Sequence, residues 1–431
     1  MFGLLDSEAL TKIQSLILIA VIVIAALGGV AAYVLLGGEE QSTEPIRIGI
    51  LADVDFYGKP ALQEAILAAE QVNAEGGILG RQVEIVEEDC LSGTDFDSGE
   101  VSNALTRLIT VDQADFVIGQ TIGESVFVCQ EMAAEYEKIY FETFANQDEF
   151  TQRVLDDYSN YRYYFSHVWN TTSANLGVAD SLLLLKEMTG FTKVGIVGAS
   201  PTLEVLEQFL PENGFDLVYE SAVPYETMDF SSYFAQAEAA GVEVMVPWIP
   251  SQAGLAFVKE YADRQSPMVV YGGLVIDAGD ARSCEWTDGK CNYGSFVSFA
   301  PTAGYPLTSK TIPFREAYMD EYGEFGGGFV YDIVRFVLPD AIERAGTIET
   351  DAVIEALEET RVETSNAREF VFTESHALMM GKNPNDPEAN YPFVILFQWQ
   401  NGEQVPVYPK KIMEEAGSTY IYPDWDGPWN K

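Results

Sequence analysis

The first residues that could bind a ligand are the three glycines of the stretch GGILGR, which runs from Gly76 to Arg81. Glycine-rich loops bind phosphate when they leave a strand and open a helix, because backbone N–H groups and the helix N-terminus then face the anion. This stretch has the opposite order, since a helical pattern ends near Asn73 and a strand pattern begins near Gln82. We therefore predict a turn between a helix and a strand, with Gly76 or Gly77 in the left-handed conformation that ends a helix.

A second candidate for chemistry is the loop GQTIGES, which follows a strand-like run and precedes a helical one. Its backbone N–H groups and hydroxyls are suited to a carboxylate bound at the start of a helix. Alternatively, its glycines serve only as turn residues. The predicted ligand contacts from this loop are Gln120, Thr121, Gly123 and Ser125.

Two aromatic residues, Tyr57 and Trp248, lie at the ends of strand-like runs in different halves of the chain. Ligands of open parallel sheets bind beyond the carboxyl ends of the strands, where loops lead into helices. The two rings are therefore candidates to close on an apolar ligand from opposite sides. The alternative is that both rings belong to the core, which is the more common place for aromatic side chains at interior sheet edges.

Residues with the chemistry of catalysis are scarce. The chain of 431 residues contains two histidines, His167 and His376, and no nucleophile elbow, phosphate-binding P-loop, zinc-protease motif or paired CxxC. We expect both histidines to be linker or surface residues rather than a base or a metal ligand. Carboxylates are too numerous for an acid–base pair to be identified without geometry. The sequence therefore predicts a protein that is not an enzyme and that uses no cofactor or metal.

The elements that position these loops alternate along the chain. Helical patterns lie between most of the strand-like runs, and alternation of this kind predicts an α/β fold with parallel sheets covered on both faces. The runs form two sets of four, so we expect two Rossmann-like lobes. They occupy residues 46–53, 82–89, 115–120, 138–144, 193–200, 216–223, 242–248 and 268–275.

The charge of the chain describes its surface and excludes one class of partner. Lys and Arg number 24 and Asp and Glu number 67, which gives a formal net charge of -43. Such a surface repels polyanions, so nucleic acid is excluded as a partner. An acidic, well-solvated surface is also suited to high salt.

The N-terminal segment predicts a membrane anchor. Residues 13–38 carry no charged side chain and are long enough to cross a bilayer, which takes about 20 apolar residues. Lys12 precedes the segment and acidic residues follow it, which places residues 1–12 in the cytoplasm and the bulk of the chain in the extracellular or periplasmic space. The segment is too long for a typical signal peptide, so we expect an uncleaved, single-pass anchor joined to the body by a tether at 39–45.

Four cysteines are consistent with that location, because disulfides persist outside the cytoplasm. We predict one disulfide between Cys284 and Cys291, which close a short loop, and a second between Cys90 and Cys129. Buried thiols are the alternative. Asn170 begins a glycosylation sequon, which is consistent with the same location.

Beyond these patterns, the stretch VNAEGGILGRQVEIVEED resembles the signature turn of the Leu/Ile/Val-binding protein family. The resemblance continues, in the same order along the chain, through FETFANQDEFTQR, DFSSYFAQAEAAGVEVMV, FVYDIVRFVLPDAIERAG, VIEALEET and FQWQNGEQVPVYP. It extends from Ile46 to about Pro409. Proteins of this family are the substrate-binding components of branched-chain amino-acid ABC importers, and they have the type I periplasmic-binding-protein fold.

The resemblance implies two lobes joined by a hinge of three chain crossings, with the last strands returning to the second lobe. The crossings are expected near Phe165–His167, Ser295–Phe299 and Val371–Glu374. The first lobe then comprises residues 46–165 and 299–372, and the second comprises residues 166–298 and 373–431.

The resemblance also implies ligand contacts, which include both aromatic residues above and the loop residues Phe144, Ala145 and Asn146. Phe144 departs from the small residue of the family and changes the shape of the pocket. Where the family places an acid against the ligand ammonium, this chain has Leu274. Asp277 and Glu124 are candidates to replace that acid, although acidic loop residues are usually only solvated. The ligand stays open between an amino acid, an amide, a short peptide and an uncharged apolar metabolite.

The function that the resemblance implies is capture of a small molecule by hinge closure and its delivery to an ABC permease and its ATPase. The alternative is an ectodomain that senses a ligand and signals through a separate receptor.

Overall fold

A computed structural model describes residues 43–53, 58–90, 98–121, 123–198, 204–224, 226–249, 253–275, 283–298, 305–324, 326–381 and 391–430. The described residues of Pro45–Lys431 form one compact unit, which carries both sheets. The predicted anchor at 13–38 lies outside the described residues. Within the described residues, no helix is both long enough and apolar enough to span a membrane.

The first sheet has five strands, which are β1 (Ile46–Ala52), β2 (Val83–Asp89), β3 (Phe116–Gln120), β4 (Tyr140–Glu142) and β5 (Tyr164–Ser166). All neighbouring pairs are parallel, in the order β2-β1-β3-β4-β5. The carboxyl ends of these strands therefore lie along one edge. The helices that follow these strands are α1 (Gly58–Ala74), α2 (Ser98–Thr110), α3 (Ser125–Tyr136), α4 (Asp148–Asp156) and α5 (Tyr158–Tyr161).

The second sheet has seven strands, which are β6 (Lys193–Gly198), β7 (Asp216–Ala222), β8 (Val244–Ile249), β9 (Val269–Val275), β10 (Ser295–Ser298), β11 (Ile395–Gln400) and β12 (Glu403–Tyr408). Their order is β12-β11-β10-β9-β8-β6-β7. The two pairs that include β11 are antiparallel, and the others are parallel. The helices of this half are α6 (Thr171–Thr189), α7 (Glu204–Glu212), α8 (Ser231–Ala240), α9 (Gly254–Arg264) and α10 (Ser283–Trp286).

The remaining helices lie between β10 and β11 and after β12. Four of them, together with a π-helical turn at Ile333–Val337, pack on the first sheet, and the last follows β12. They are α11 (Thr311–Tyr322), α12 (Phe329–Asp332), α13 (Leu338–Ala345), α14 (Thr350–Glu358) and α15 (Lys410–Ala416), with a 3-10 turn at Pro428–Asn430.

The predicted alternation of strands and helices is confirmed, because each strand-like run contains a strand. β5 and β10 are short strands that periodicity alone did not predict. β11 and β12 return to the second sheet, as the resemblance implies. The fold is therefore α/β with mainly parallel sheets, as expected.

The glycine stretch after α1 is a turn, as predicted. Gly76 and Gly77 have φ values of 112° and 76°, in the region that favours glycine. A side chain at Gly77 would place its Cβ 1.9 Å from the carbonyl oxygen of Arg81, so only glycine fits there. Because the turn leads into β2, it lies at the amino edge of the first sheet, opposite the edge where ligands bind.

The apolar side chains of the two sheets form separate cores. One core joins β1–β5 with α1–α4 and α11–α14. The second sheet has a core on each face, because successive residues of a strand point to opposite faces. On β8, Val246 and Trp248 lie in one core, whereas Met245 and Ile249 lie in the other.

The chain passes between the two sheets at the crossings. It leaves the first sheet after β5 and returns after β10 to α11, which packs in the first core. The third crossing predicted at Val371–Glu374 is placed too early. Phe372 and Leu378 still pack in the first core, and Ala377 pairs with Ser166 of β5. The chain therefore turns toward β11 only after Leu378.

One predicted disulfide is formed and the other is not. Cys284 and Cys291 are joined. Cys90 and Cys129 are both buried thiols, which is the alternative weighed above. The Cys129 side chain instead hydrogen-bonds within a buried polar cluster that includes Tyr140. Sequence spacing could not distinguish these outcomes, because both cysteines lie in the same core whether or not they are bonded.

Candidate functional site

Two loops at the carboxyl edge of the first sheet carry most of the predicted ligand contacts. β3 ends at Gln120 and β4 ends at Glu142, and the two strands are neighbours in the sheet. One loop leads into α3 and the other leads into α4. The structure therefore places at one edge the predicted residues Gln120, Thr121, Gly123, Ser125, Phe144, Ala145 and Asn146.

The start of α3 presents buried polar atoms without a protein partner. Ser125, the first residue of α3, is 2% exposed, and its Oγ makes no hydrogen bond with any residue that the structure describes. The Oε1 atom of Gln120 is also buried and unpaired. Glu124 gives the helix no side-chain cap, and this end of the helix dipole is positive. Because buried polar atoms are nearly always paired in folded proteins, this edge is suited to a bound polar or anionic group.

A buried carboxylate that the sequence patterns did not identify joins the two loops. Glu142, the last residue of β4, is completely buried. Its Oε1 accepts the backbone N–H groups of residues 143–145, at 3.1, 2.9 and 3.1 Å. Its Oε2 accepts the hydroxyl of Thr121 at 2.8 Å and that of Tyr140 at 3.0 Å. One side chain therefore holds both loops.

Burial controls the protonation of this cluster. It raises the pKa of Glu142 to about 7, because desolvation of the charged carboxylate outweighs the hydrogen bonds that stabilise it. It also raises the pKa of the Cys129 thiol and of the Tyr140 hydroxyl, so both stay neutral near pH 7.

The Thr121 side chain has a different role from the ligand contact that was predicted for it. It is completely buried, and its hydroxyl donates to the Glu142 carboxylate rather than pointing to an unfilled space. Its hydroxyl therefore supports the loop, and contact of Thr121 with a ligand stays a prediction.

The loop after β4 is bonded to the first turn of α6, the helix that begins the second half. The carbonyl oxygen of Asn146 accepts the N–H of Thr171 at 2.7 Å and its hydroxyl at 3.1 Å. Asp148 accepts the N–H of Thr172 at 3.2 Å and its hydroxyl at 2.5 Å. The predicted contacts Phe144 and Asn146 are half-buried in this loop.

The sequon at Asn170 has a structural use. The Asn170 side chain accepts the N–H of Ser173 at 2.9 Å and caps α6. Thr172, whose hydroxyl completes the sequon, donates to Asp148. We therefore interpret Asn170 as a helix cap rather than a glycosylation site.

Trp248 lies at the carboxyl edge of the second sheet, between Gly198 of β6 and Leu274 of β9. It is 3% exposed and belongs to a core of that sheet, in agreement with the alternative weighed above. Contact of its ring with a ligand stays a prediction. Tyr57 and Asp277 lie outside the described residues.

Both histidines are buried next to β5. His167 follows β5, as expected for a linker residue, and its Nδ1 lies 2.7 Å from the carbonyl oxygen of Phe329. His376 stacks on Phe165 with ring centroids 4.0 Å apart. The expectation of a surface position is wrong, because each histidine is 1% exposed. Burial lowers the pKa of His167 to about 4 and lowers that of His376, so both are neutral near pH 7.

A groove with an empty volume of about 450 Å³ lies at the crossings rather than at the strand ends. Its walls are mainly apolar and include Trp169, Phe329, Leu378 and Phe393. It is therefore separate from the loops that carry the predicted contacts. Among the described residues, no group of three or more potential metal ligands is found.

Comparison with known proteins gives a consistent result. The sequence pattern of the periplasmic binding protein family matches residues 45–422. The Leu/Ile/Val-binding protein homolog 7 of Brucella suis is 24% identical over 412 residues, which cover 87% of this chain and 94% of that protein.

Two solved structures share the fold. The branched-chain amino acid transporter substrate binding protein LivJ from Streptococcus pneumoniae, in complex with isoleucine, has a TM-score of 0.69 at 18% identity, over 85% of this chain and 100% of that chain. An ABC transporter solute binding protein from R. palustris, in complex with benzoate, has a TM-score of 0.67 at 14% identity, over 84% of this chain and 95% of that chain.

The family match places the chain among solute-binding proteins rather than enzymes, and the two mainly parallel sheets joined by chain crossings agree with that fold. The chain belongs to the periplasmic binding protein family. The resemblance to Leu/Ile/Val-binding proteins is thereby confirmed.

Proposed function

We propose that the protein captures a small polar or amphipathic molecule between its two lobes and delivers it to the permease and ATPase of an ABC importer. The candidate ligands are an amino acid or a related amide or metabolite. The observation that carries this proposal is the pair of buried, unpaired atoms Ser125 Oγ and Gln120 Oε1 at the carboxyl edge of the first sheet. Ligands of open parallel sheets bind at that edge.

The chemistry of the edge favours a ligand with a carboxylate. The hydroxyl of Ser125 is free to donate a hydrogen bond, and the positive end of the α3 dipole attracts an anion. Isoleucine and benzoate, the ligands of the two solved structures, each carry a carboxylate on an apolar group. This shared chemistry supports the same class of ligand here.

Glu142 and the predicted acid Glu124 are both poor partners for an ammonium group on the ligand. Glu142 is the buried acid that joins the two loops, but both of its oxygens already accept hydrogen bonds and it is completely buried. Glu124 is exposed, and Leu274 carries no charge. The proposal therefore includes carboxylates that lack an amine.

We propose that capture proceeds by hinge closure. A ligand that contacts both lobes favours the closed form by the difference between its affinities for the closed and open forms. The crossings are the connections that would flex, with the third one lying after Leu378.

We further propose that residues 13–38 anchor the protein as a single membrane span, with the body in the extracellular or periplasmic space. The proposal is supported by the absence of charged side chains in that segment. Alkaline carbonate is expected to leave the protein in the membrane fraction, and detergent is expected to release it. Release by carbonate alone would contradict an integral anchor.

The ligand is tested by thermal unfolding of the full-length protein in mild detergent. A ligand at one hundred times its dissociation constant adds about 2.7 kcal/mol to the free energy of unfolding. The panel pairs isoleucine and benzoate with isoleucinamide and benzamide, which lack the carboxylate. We expect stabilisation by a carboxylate and less by its amide. An equal effect of both would contradict the carboxylate preference, and no stabilisation by any small molecule in a wider amino-acid and metabolite panel would contradict the proposed function.

The identity of the partner protein distinguishes delivery to a transporter from ligand sensing. Purification of the ligand-loaded protein after crosslinking in its native membrane is expected to recover a permease. Recovery of a receptor instead would favour the alternative of a sensory ectodomain.

A further inference from the structure

The two loops of the candidate site are held by a single side chain. Glu142 Oε1 accepts three consecutive backbone N–H groups, from residues 143–145, and these residues include the predicted contacts Phe144 and Ala145. Consecutive N–H groups that converge on one oxygen fix the path of the backbone. Glu142 Oε2 accepts the hydroxyl of Thr121, in the loop that leads to Ser125.

The same loop is connected to the hinge. The backbone carbonyl of Glu142 accepts the N–H of His167, the residue after β5 at the first crossing, at 2.9 Å. Asn146, at the end of the loop, accepts two hydrogen bonds from Thr171 at the start of α6. A displacement of the loop would therefore disturb contacts that join the first lobe to the crossing and to the second lobe.

Glu142 itself has no free surface for a ligand. Its side chain is completely buried, and its two oxygens accept three hydrogen bonds and two hydrogen bonds respectively. Any effect of Glu142 on binding must therefore pass through the loops that it holds. We propose that Glu142 is the positioning residue of the ligand site, which fixes the loops after β3 and β4 in the arrangement that binds the ligand. This inference rests on the proposed function.

The chain offers a matched control for burial of a carboxylate. Glu64, on α1, is 3% exposed and also accepts three backbone N–H groups, from Gly328, Val330 and Tyr331, at 2.7, 3.0 and 3.3 Å. Its helix packs in the same core as β4, but its partners are at the start of α12 rather than in the candidate site. Loss of Glu64 therefore reproduces the structural cost without touching the two loops.

The test compares Glu142→Met, Glu142→Gln and Glu64→Met in the full-length protein. Thermal unfolding first establishes a temperature at which each variant is folded, and calorimetry then measures the dissociation constant for isoleucine or benzoate, whichever stabilises the wild type more. Glu142→Met is expected to weaken binding at least about tenfold, because buried N–H groups lose their acceptor and the loops move. Glu142→Gln keeps an oxygen for the N–H groups, and its amide can donate to the two hydroxyls, so we expect a loss within about threefold.

Glu64→Met is expected to unfold at a lower temperature and to bind the ligand like the wild type. The inference is overturned if Glu142→Met binds like the wild type, or if Glu64→Met weakens binding as much as Glu142→Met does. If the wild type binds no member of the panel, the result contradicts both the proposed function and the positioning role. If the wild type binds a ligand and Glu142→Met binds it equally well, the result contradicts only the positioning role.

A second variant keeps the test valid if Glu142→Met does not fold. Tyr140→Phe removes one donor to Glu142 Oε2, and Tyr140 is not a predicted ligand contact. We expect it to weaken binding by about threefold, which is the usual size of one lost hydrogen bond. In that case an unchanged dissociation constant in Tyr140→Phe overturns the inference.

Discussion

The two sheets end in different chemistry at their carboxyl edges. In the first sheet, the ends of β3 and β4 bring together buried polar groups, which include Gln120, Ser125 and Glu142. In the second sheet, the buried apolar residues Trp248 and Leu274 pair with each other one residue before the ends of β8 and β9. Under the proposed function, the polar group of an amphipathic ligand contacts the edge of the first sheet and its apolar group contacts the edge of the second. Variants at the two edges should therefore separate binding from stability.

The largest expected effect is at the apolar edge. Trp248→Ala is expected to lower the free energy of unfolding by about 3–5 kcal/mol, because it removes a buried ring and leaves a cavity. Chemical denaturation monitored by circular dichroism measures the change. Trp286→Ala is the control, since Trp286 is 40% exposed and its loss should cost less than that of Trp248. Similar losses in the two variants would show that Trp248 is not a core residue.

The second prediction concerns pH. The first lobe contains buried carboxylates whose pKa lies near 7, whereas the apolar edge of the second sheet has no such group among the residues named above. Burial raises the pKa of Glu64 to about 7 from 4.5. Between pH 4.5 and 7 the folded protein keeps a proton that the unfolded chain has released, so this group lowers stability as pH rises through that window. Glu64→Gln does not titrate there. Relative to the wild type, it should therefore gain stability from pH 4.5 to 7, by up to about 3 kcal/mol.

Denaturation curves of both proteins at several pH values test this sign. The difference between the variant and the wild type should be constant below pH 4.5 and above pH 7, and should change between them. A difference that does not change with pH would show that Glu64 has an ordinary pKa. Glu142 titrates in the same range, and it is present in both proteins, so its contribution cancels.

These carboxylates also show how much could be predicted from the sequence. Eight strands of the two sheets follow from alternation, but neither Glu64 nor Glu142 was identified, because the chain contains 67 acidic residues and most acids are solvated. A signal was present. Glu64 lies on the face of α1 that also carries Ala61, Ala65 and Ala68, and Glu142 directly follows two buried aromatic residues of β4. An acid at a core-facing position therefore indicates a buried carboxylate, even in a chain with many solvated acids.

Other features of the site depend on contacts between distant segments, which spacing does not reveal. The spacing of Cys90 and Cys129 is compatible with a disulfide or with two buried thiols, and packing of the Cys129 thiol near Tyr140 decides between them. The loop GQTIGES was identified because its position relative to a strand and a helix is local. Its support by Glu142 was not, because that contact joins segments about 20 residues apart.

The third prediction tests the polar edge directly. Ser125→Ala is expected to weaken binding of a carboxylate ligand about tenfold, because the unpaired hydroxyl is the proposed donor. Its free energy of unfolding should change by less than about 0.5 kcal/mol, since the hydroxyl has no protein partner to lose. Ser295→Ala is the matched control, because its Oγ is equally buried and unpaired but lies at the start of β10. Weaker binding in both variants, or in neither, would contradict the assignment of the site.

The smallest effect is expected where the polar loop of the first lobe meets the second. Thr172→Val removes the hydroxyl that donates to Asp148 at 2.5 Å but keeps the shape of the side chain. The loss should be about 1 kcal/mol in the free energy of unfolding, because the bond is only partly buried but its acceptor is a carboxylate. Thr189→Val is the control at the other end of the same helix, since its hydroxyl donates to Leu185 and accepts from the N–H of Phe191, both away from the ligand loop. Because the Thr172 bond joins the ligand loop to α6, Thr172→Val should also change ligand affinity, whereas Thr189→Val should not. Equal affinities in the two variants would mean that the contact holds the lobes together without taking part in the coupling between the loop and the hinge.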